Sequence, residues 1–260
     1  MKNLLVANLN KKNKRKYNFE KIKTLINAQV ENSVELGWST KDIILVANFD
    51  YSFLGVSSTK FELNEDCFTG SKMFALQKLF SNGILIEHET IWAHDLDAWQ
   101  NYEFDCPEIK DVGATYYSKP KFNGGSIFWT HKSVDIIDKI IDDITNLGSQ
   151  KEEPIINKIF KSDEYKERIT IINNTFNVGC SGFVPRYERS DKPVRVLHFH
   201  PTNRIAWETH ALDRNEIGSV AIGRRLELLL RRYYPHLATK VVTKRKHDRH
   251  NRNSKTSKNT

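Results

Sequence analysis

Asp95 and Asp97 are separated by a single residue and follow the apolar run Ile91-Trp92-Ala93. On an extended backbone, positions i and i+2 face the same side. Two carboxylates held close on one face repel each other, and partial burial sharpens the repulsion. A hard divalent cation such as Mg²⁺ or Mn²⁺ relieves it, because carboxylate oxygens are its preferred donors. The alternative is a solvated loop, since an isolated Asp-x-Asp is common by chance. The apolar approach and the flanking Trp92 and Trp99 favour a metal site. His198 and His200 alternate along a late strand, Val196-Leu197-His198-Phe199-His200. On that strand they share a face, and either can complete a metal site or lie satisfied in the core.

Other residues bear on the same chemistry. Asn123-Gly124-Gly125 reads as a hairpin turn or as a place where a ligand approaches bare backbone. Glu152 and Glu153 precede Pro154 at a helix start, where acids suit the helix dipole and where one could serve as a general base. Cys180 has no partner that would make it a nucleophile. Trp99 and Trp129 read as core, and Trp207, in a polar stretch, as a stacking platform.

These residues need elements to position them. Residues 4–10 and 42–50 read as buried strands, and 18–36 as an amphipathic helix closed by Gly37. A short helix opens at Gly70-Ser71. Strands are expected at 111–117 and 126–130, around the Asn123-Gly124-Gly125 turn. Ser133 to Leu147 carries a stripe of Ile137, Ile140, Ile141 and Ile144, a clear helix. A helix follows Pro154, strands lie near 169–173 and 194–200, and a last helix spans about 216–233. Strands alternating with helices predict an α/β fold with a mixed, mostly parallel central sheet flanked by helices. One domain is expected over 1–238, with a disordered basic tail over 239–260 that lacks the apolar residues to fold.

With these elements, the sequence resembles the metal-dependent Asp-x-Asp glycosyltransferases of the GT-A (Rossmann-like) fold. The resemblance runs over about 85–200 and is one of motif order: His94-Asp95-Leu96-Asp97, then Phe122-Asn123-Gly124-Gly125, then Glu152-Glu153-Pro154, then the His198 strand. His-Asp-Leu-Asp-Ala-Trp-Gln is similar to the small phage-type enzymes that glucosylate hydroxymethylated DNA bases. The resemblance implies a nucleotide-sugar donor, UDP-glucose by preference, and a Mn²⁺ or Mg²⁺ ion on Asp95, Asp97 and His198 or His200. It implies a donor site formed by Asp95, His94, Asn8, Asn123, Gly124 and Gly125. Glu153, or else Glu152, would be the general base in an inverting reaction.

The net charge of +8 points to an anionic partner, here DNA as acceptor. Eight of the 40 Lys and Arg lie in 239–260 with one acid, Asp248, so the rest of the chain carries only +1. A glycan, protein or lipid acceptor is the alternative, and a non-catalytic nucleic-acid-binding protein on a degenerate fold is a second. No run has the length of a membrane span, and no lipidation motif marks an anchor, so no stable membrane attachment is expected. Met1 to Val6 reads as a first strand rather than a secretion signal. The three scattered cysteines form neither a zinc spacing nor a disulfide framework, which suits a reducing compartment. A cytoplasmic location is expected, which includes the cytoplasm of a phage-infected host.

Overall fold

The computed structural model describes residues 1–9, 19–62, 71–85, 89–118, 120–148, 151–179, 183–202 and 222–235. Residues 11–16, Cys67, Cys180, Trp207 and the 239–260 tail lie outside these residues.

Strands β1 (Lys2–Ala7), β2 (Ile43–Ala47), β3 (Ser52–Phe53), β4 (Val56–Lys60), β5 (Ile91–His94), β7 (Val112–Ser118), β8 (Lys121–Trp129) and β9 (Ile169–Ile171) form one sheet in the order β3-β4-β2-β1-β5-β8-β7-β9. β1 pairs in parallel with both β2 and β5, and β2 with β4. β8 runs antiparallel between β5 and β7, and β9 is again parallel to β7. The sheet is therefore mixed and mostly parallel, as the alternation of elements predicts. A smaller sheet joins β10 (Val178–Gly179), β11 (Val196–His198) and β6 (Ala98–Gln100).

Both faces of the large sheet are covered, which explains its nearly continuous apolar strands. Leu4 and Leu5 are both fully buried but belong to different clusters. Leu5, Leu45 and Ala47 meet Ile22, Ile26 and Val30 of α1 (Phe19–Glu35). Leu4, Val46 and Ala93 meet α2 (Ser71–Ser81), α3 (Val134–Asn146) and α4 (Glu153–Phe160). α5 (Phe183–Glu188) and α6 (Arg224–Tyr233) build a third cluster around Trp99, Leu197 and Phe199. Trp99 and Trp129 are fully buried core residues.

Two buried amides on α1 hold the segment after β5. Gln29 Nε2 donates to the carbonyls of Leu96 and Ala98 at 2.9 and 3.0 Å, and Asn32 Nδ2 donates to that of Gln100 at 2.9 Å. The Gln100 carbonyl also accepts from Arg225 at 3.3 Å; a buried carbonyl left without a donor is costly. A helix of the first βα unit thereby fixes the backbone that carries Asp97.

One expectation is corrected. Asn123-Gly124-Gly125 is no hairpin turn but the interior of β8, and the chain reverses earlier, where Ser118 pairs with Lys121. Gly125 is needed for close packing, since a Cβ there would lie 2.1 Å from His198 Cε1, whereas one on Gly124 would meet Glu152 Oε1 at an ordinary contact distance of 3.4 Å. The last helix, expected from about 216, is described from Arg224.

The core contribution of α3 is testable. Ile140 is fully buried in the main cluster. Ile140→Ala is expected to cost about 2–5 kcal/mol, read as a lower urea midpoint at unchanged m-value.

Candidate functional site

A cavity of about 620 Å³ opens at the carboxyl ends of the parallel strands β1 and β5. Its walls include Asn8, Lys72, His94, Asp95, Leu96, Asp97, Asn123, Gly124, Gly125, Glu152, Glu153, His198 and His200. The candidate metal, donor and base residues of the sequence therefore border one space, although they come from the ends of β1, β5, α4 and β11 and from the interior of β8.

Asp95 continues the β5–β8 ladder by one bond, its N–H donating to the Gly125 carbonyl at 3.0 Å. The chain then turns, with Ala98 N–H donating to the Asp95 carbonyl at 2.9 Å. The Asp97 carbonyl accepts from Phe199 N–H at 2.8 Å, which pins β11 against this turn. His198 consequently faces the aspartates, with Nε2 3.2 Å from Asp97 Oδ1 and 3.4 Å from Asp95 Oδ2. One ligand atom from each of Asp95, Asp97 and His198 lies within 4.8 Å of the others.

The electrostatics follow from this crowding. Burial alone would raise Asp97, but His198, with help from His200, holds its carboxyl down at about 2. Burial lowers His198, yet the two carboxylates outweigh it and its ring is held above the ordinary histidine range.

Lys72 was not foreseen. It is the second residue of α2, and its side chain is only 7% exposed. Nζ donates to Asp95 Oδ1 at 2.5 Å and to the Gly124 carbonyl at 2.6 Å, and lies 3.3 Å from Glu152 Oε1. Burial opposes its charge, but Asp95 and Glu152 keep the ammonium protonated, well above the ordinary lysine value. The available signal was its spacing: Lys72 falls three and four residues before buried Ala75 and Leu76, on the stripe that faces inward. Asn177 was also missed. It is buried and donates from Nδ2 to Asn123 Oδ1 at 2.8 Å.

The two glutamates differ. Glu152 is buried beside Lys72, and burial lifts it to about 7 against the pull of that ammonium. Glu153, 35% exposed, pairs with Lys121 at 3.1 Å at the cavity wall. Asn8 is buried; its Nδ2 donates to Ser71 Oγ at 2.8 Å and its Oδ1 accepts from Asn48 at 3.0 Å. It thus ties the end of β1 to the start of α2, next to Lys72.

Two histidines depart from expectation. His200 lies beyond the end of β11, so the shared strand face is not formed. Its Nδ1 is 2.7 Å from Thr202 Oγ1, and it stands outside the Asp95–Asp97–His198 group. His94 borders the cavity, but its ring is turned into the fold. It stacks on Trp92 at 3.9 Å, with Nε2 2.9 Å from Asn3 Oδ1 and Nδ1 2.9 Å from the Asp95 carbonyl.

Burial drives His94 down to about 4, so it is neutral in the fold near pH 7. The unfolded chain titrates near 6.5 and binds more protons between 6.5 and 4. His94's contribution is therefore fully present above pH 6.5 and falls away as pH drops toward 4, by roughly 3 kcal/mol. The stability advantage of the wild type over His94→Gln is expected to shrink by that amount between pH 7 and 4. Urea unfolding of both proteins at the two pH values measures it, and a pH-independent difference would contradict this.

No protein-family model and no curated protein sequence matches the chain. Solved structures do share its architecture. The galactosyltransferase LgtC, crystallised with donor and acceptor sugar analogs, is 14% identical over 88% of this chain and 95% of its own, with a TM-score of 0.53. An active-site mutant of LgtC gives the same identity and coverage with a TM-score of 0.54. The glycosyltransferase GlyE of Streptococcus pneumoniae TIGR4 is 12% identical over 90% of this chain and 64% of its own, with a TM-score of 0.49. At such identities the likeness is one of fold, and the fold of this chain is that of the GT-A glycosyltransferases.

Proposed function

We propose that the chain is a metal-dependent glycosyltransferase that moves a sugar from a nucleotide-sugar donor to an acceptor hydroxyl. The observation that carries this reading is the Asp95–Asp97–His198 group, whose ligand atoms converge in a cavity that Asn123, Gly124 and Gly125 also line. Two carboxylates and an imidazole are a donor set suited to Mn²⁺ or Mg²⁺, and their ligand atoms converge closely enough to share one ion. When bound, such an ion offsets the negative charge that develops on the departing nucleoside diphosphate.

The chain's own residues supply the rest. Asn8 and His94 border the donor site at the ends of β1 and β5, and Asn123, Gly124 and Gly125 seat the sugar. Lys72 holds Asp95 and Glu152 in place and keeps a positive charge beside them. The acceptor oxygen bonds to the anomeric carbon while the bond from that carbon to the diphosphate oxygen breaks, its electron pair leaving with the diphosphate. In an inverting reaction the acceptor proton passes to Glu153, whose carboxylate is the more exposed of the pair. Buried Glu152 then orients the sugar.

UDP-glucose as donor and a hydroxymethylated pyrimidine in DNA as acceptor complete the reading. The support for DNA is the charge of 239–260. A sugar acceptor is the second reading. It is favoured by the near-neutral balance of residues 1–238 and by the acceptor sugar analog crystallised with fold-sharing LgtC.

A UDP-sugar in Mn²⁺ at 100-fold excess over its Kd is expected to stabilise the protein by about 2.7 kcal/mol, a rise of several degrees in Tm. Asp97→Asn is expected to abolish the metal-dependent part of that shift and to lower turnover by at least about 100-fold. No metal-dependent shift with any nucleoside diphosphate would sink the reading.

Deleting 239–260 separates the acceptors. With hydroxymethylated DNA, five tail contacts predict roughly a 500-fold loss of affinity between 50 and 200 mM salt, and the deletion removes that dependence. Labelled sugar entering a saccharide at an unchanged rate after the deletion selects the second reading. DNA binding that survives Asp97→Asn in a protein without donor turnover selects a non-catalytic module.

A further inference from the structure

One main-chain hydrogen bond determines the orientation of three side chains in the site. Gly125 N–H donates to Asn123 Oδ1 at 2.7 Å. A backbone N–H only donates, so the Asn123 atom facing it is the amide oxygen. That oxygen also lies 2.8 Å from the Asn177 amide, whose facing atom is therefore Nδ2. The other Asn177 amide atom is then its oxygen, and it stands 3.2 Å from His198 Nδ1. An amide oxygen only accepts, so Nδ1 carries a proton. In the neutral ring this leaves the lone pair on Nε2, the nitrogen that faces Asp95 and Asp97.

We propose that Asn177 is a positioning residue that sets the His198 tautomer for metal ligation and, at the same time, the amide orientation of Asn123 for the sugar. The inference rests on the metal-dependent reading above. Asn177 is 1% exposed and cannot itself meet a substrate. Its two amide groups serve the two halves of the site separately. The oxygen serves the metal half through His198. The Nδ2 group, with Gly125 N–H, occupies Asn123 Oδ1 and leaves Asn123 Nδ2 for a ligand in the cavity that Asn123 lines. Partners that orient a metal-bound imidazole through its second nitrogen typically matter by 10–100-fold in metal affinity.

Two variants of the full chain separate the halves. Asn177→Ala removes both contacts. Asn177→Asp keeps an acceptor for His198 Nδ1–H but has no N–H for Asn123. Mn²⁺ affinity is read by electron paramagnetic resonance on the protein alone, and UDP-glucose affinity by calorimetry at saturating Mn²⁺. Asn177→Ala is expected to weaken Mn²⁺ binding about 10–100-fold. Asn177→Asp is expected to keep Mn²⁺ binding near the wild-type value while weakening UDP-glucose binding about tenfold. Long-range ¹H–¹⁵N spectra of the Mg²⁺-loaded wild type are expected to show His198 protonated at Nδ1. Unchanged Mn²⁺ binding in Asn177→Ala, equal losses of both ligands in the two variants, or a proton on Nε2 in the loaded protein overturns the assignment of Asn177 alone. A wild-type protein that binds no Mn²⁺ overturns the functional reading, and this inference with it.

Discussion

The site depends on how three buried or half-buried carboxylates are kept together. Asp95, Asp97 and Glu152 border one cavity, and like charges at such separations are costly in a medium that screens poorly. Two cationic side chains from distant parts of the chain offset that cost. Lys72 arrives on α2 and lies between Asp95 and Glu152. His198 arrives on β11 and lies between Asp95 and Asp97. Asp95 touches both, which makes it the electrostatic junction of the fold. Removing either cation strands a carboxylate, and a buried charge without its partner is worse than no pair at all. The positions of α2 and β11 are therefore constrained by charge as much as by packing.

Much of this geometry is prepared by backbone. The Asp97 turn is held from three sides: by Gln29 and Asn32 of α1, by Gly125 through Asp95 N–H, and by Phe199 N–H on the Asp97 carbonyl. A glycine of β8 does the complementary task. The missing side chain of Gly125 lets the His198 ring close on the strand from outside it. β5 pairs with β8 from Ser126 to Trp129, and β7 pairs with it on either side of the glycines, at Lys121 and Phe122 and again from Ile127 to Trp129.

The same physics explains what the sequence discloses and what it conceals. Asp95 and Asp97 stand out because they end an apolar run, and the strand–helix alternation is legible because both faces of the sheet need apolar cover. Asn123-Gly124-Gly125 misleads because its residue types are those of a turn, whereas the reason for Gly125 is His198, a neighbour far along the chain. Lys72 is concealed because a helical stripe shows that a position faces inward without showing which charges wait there. Asn177 follows Asn173 and Asn174 within a few residues, and its residue type does not distinguish it from them. His94 shows the limit of reading by adjacency: it precedes Asp95 and borders the cavity, yet its ring is spent on Asn3, Trp92 and a carbonyl.

The charge count of the site has a consequence for its ligand. Asp95 and Asp97 are matched by Lys72 and His198, while Glu152 is lifted to about 7 and stands near half-protonation at neutral pH. Counted over these five side chains alone, the cluster is close to neutral. Under the proposed reading, replacing the His198 proton by a divalent cation raises the local charge by one while the carboxylates stay where they are. The donor's anionic end then meets a site that has become positive only after loading. Such an arrangement makes the order of binding a matter of electrostatics, with the ion preceding the nucleotide, and it leaves Lys72 as the fixed charge that keeps the carboxylates in register before either arrives.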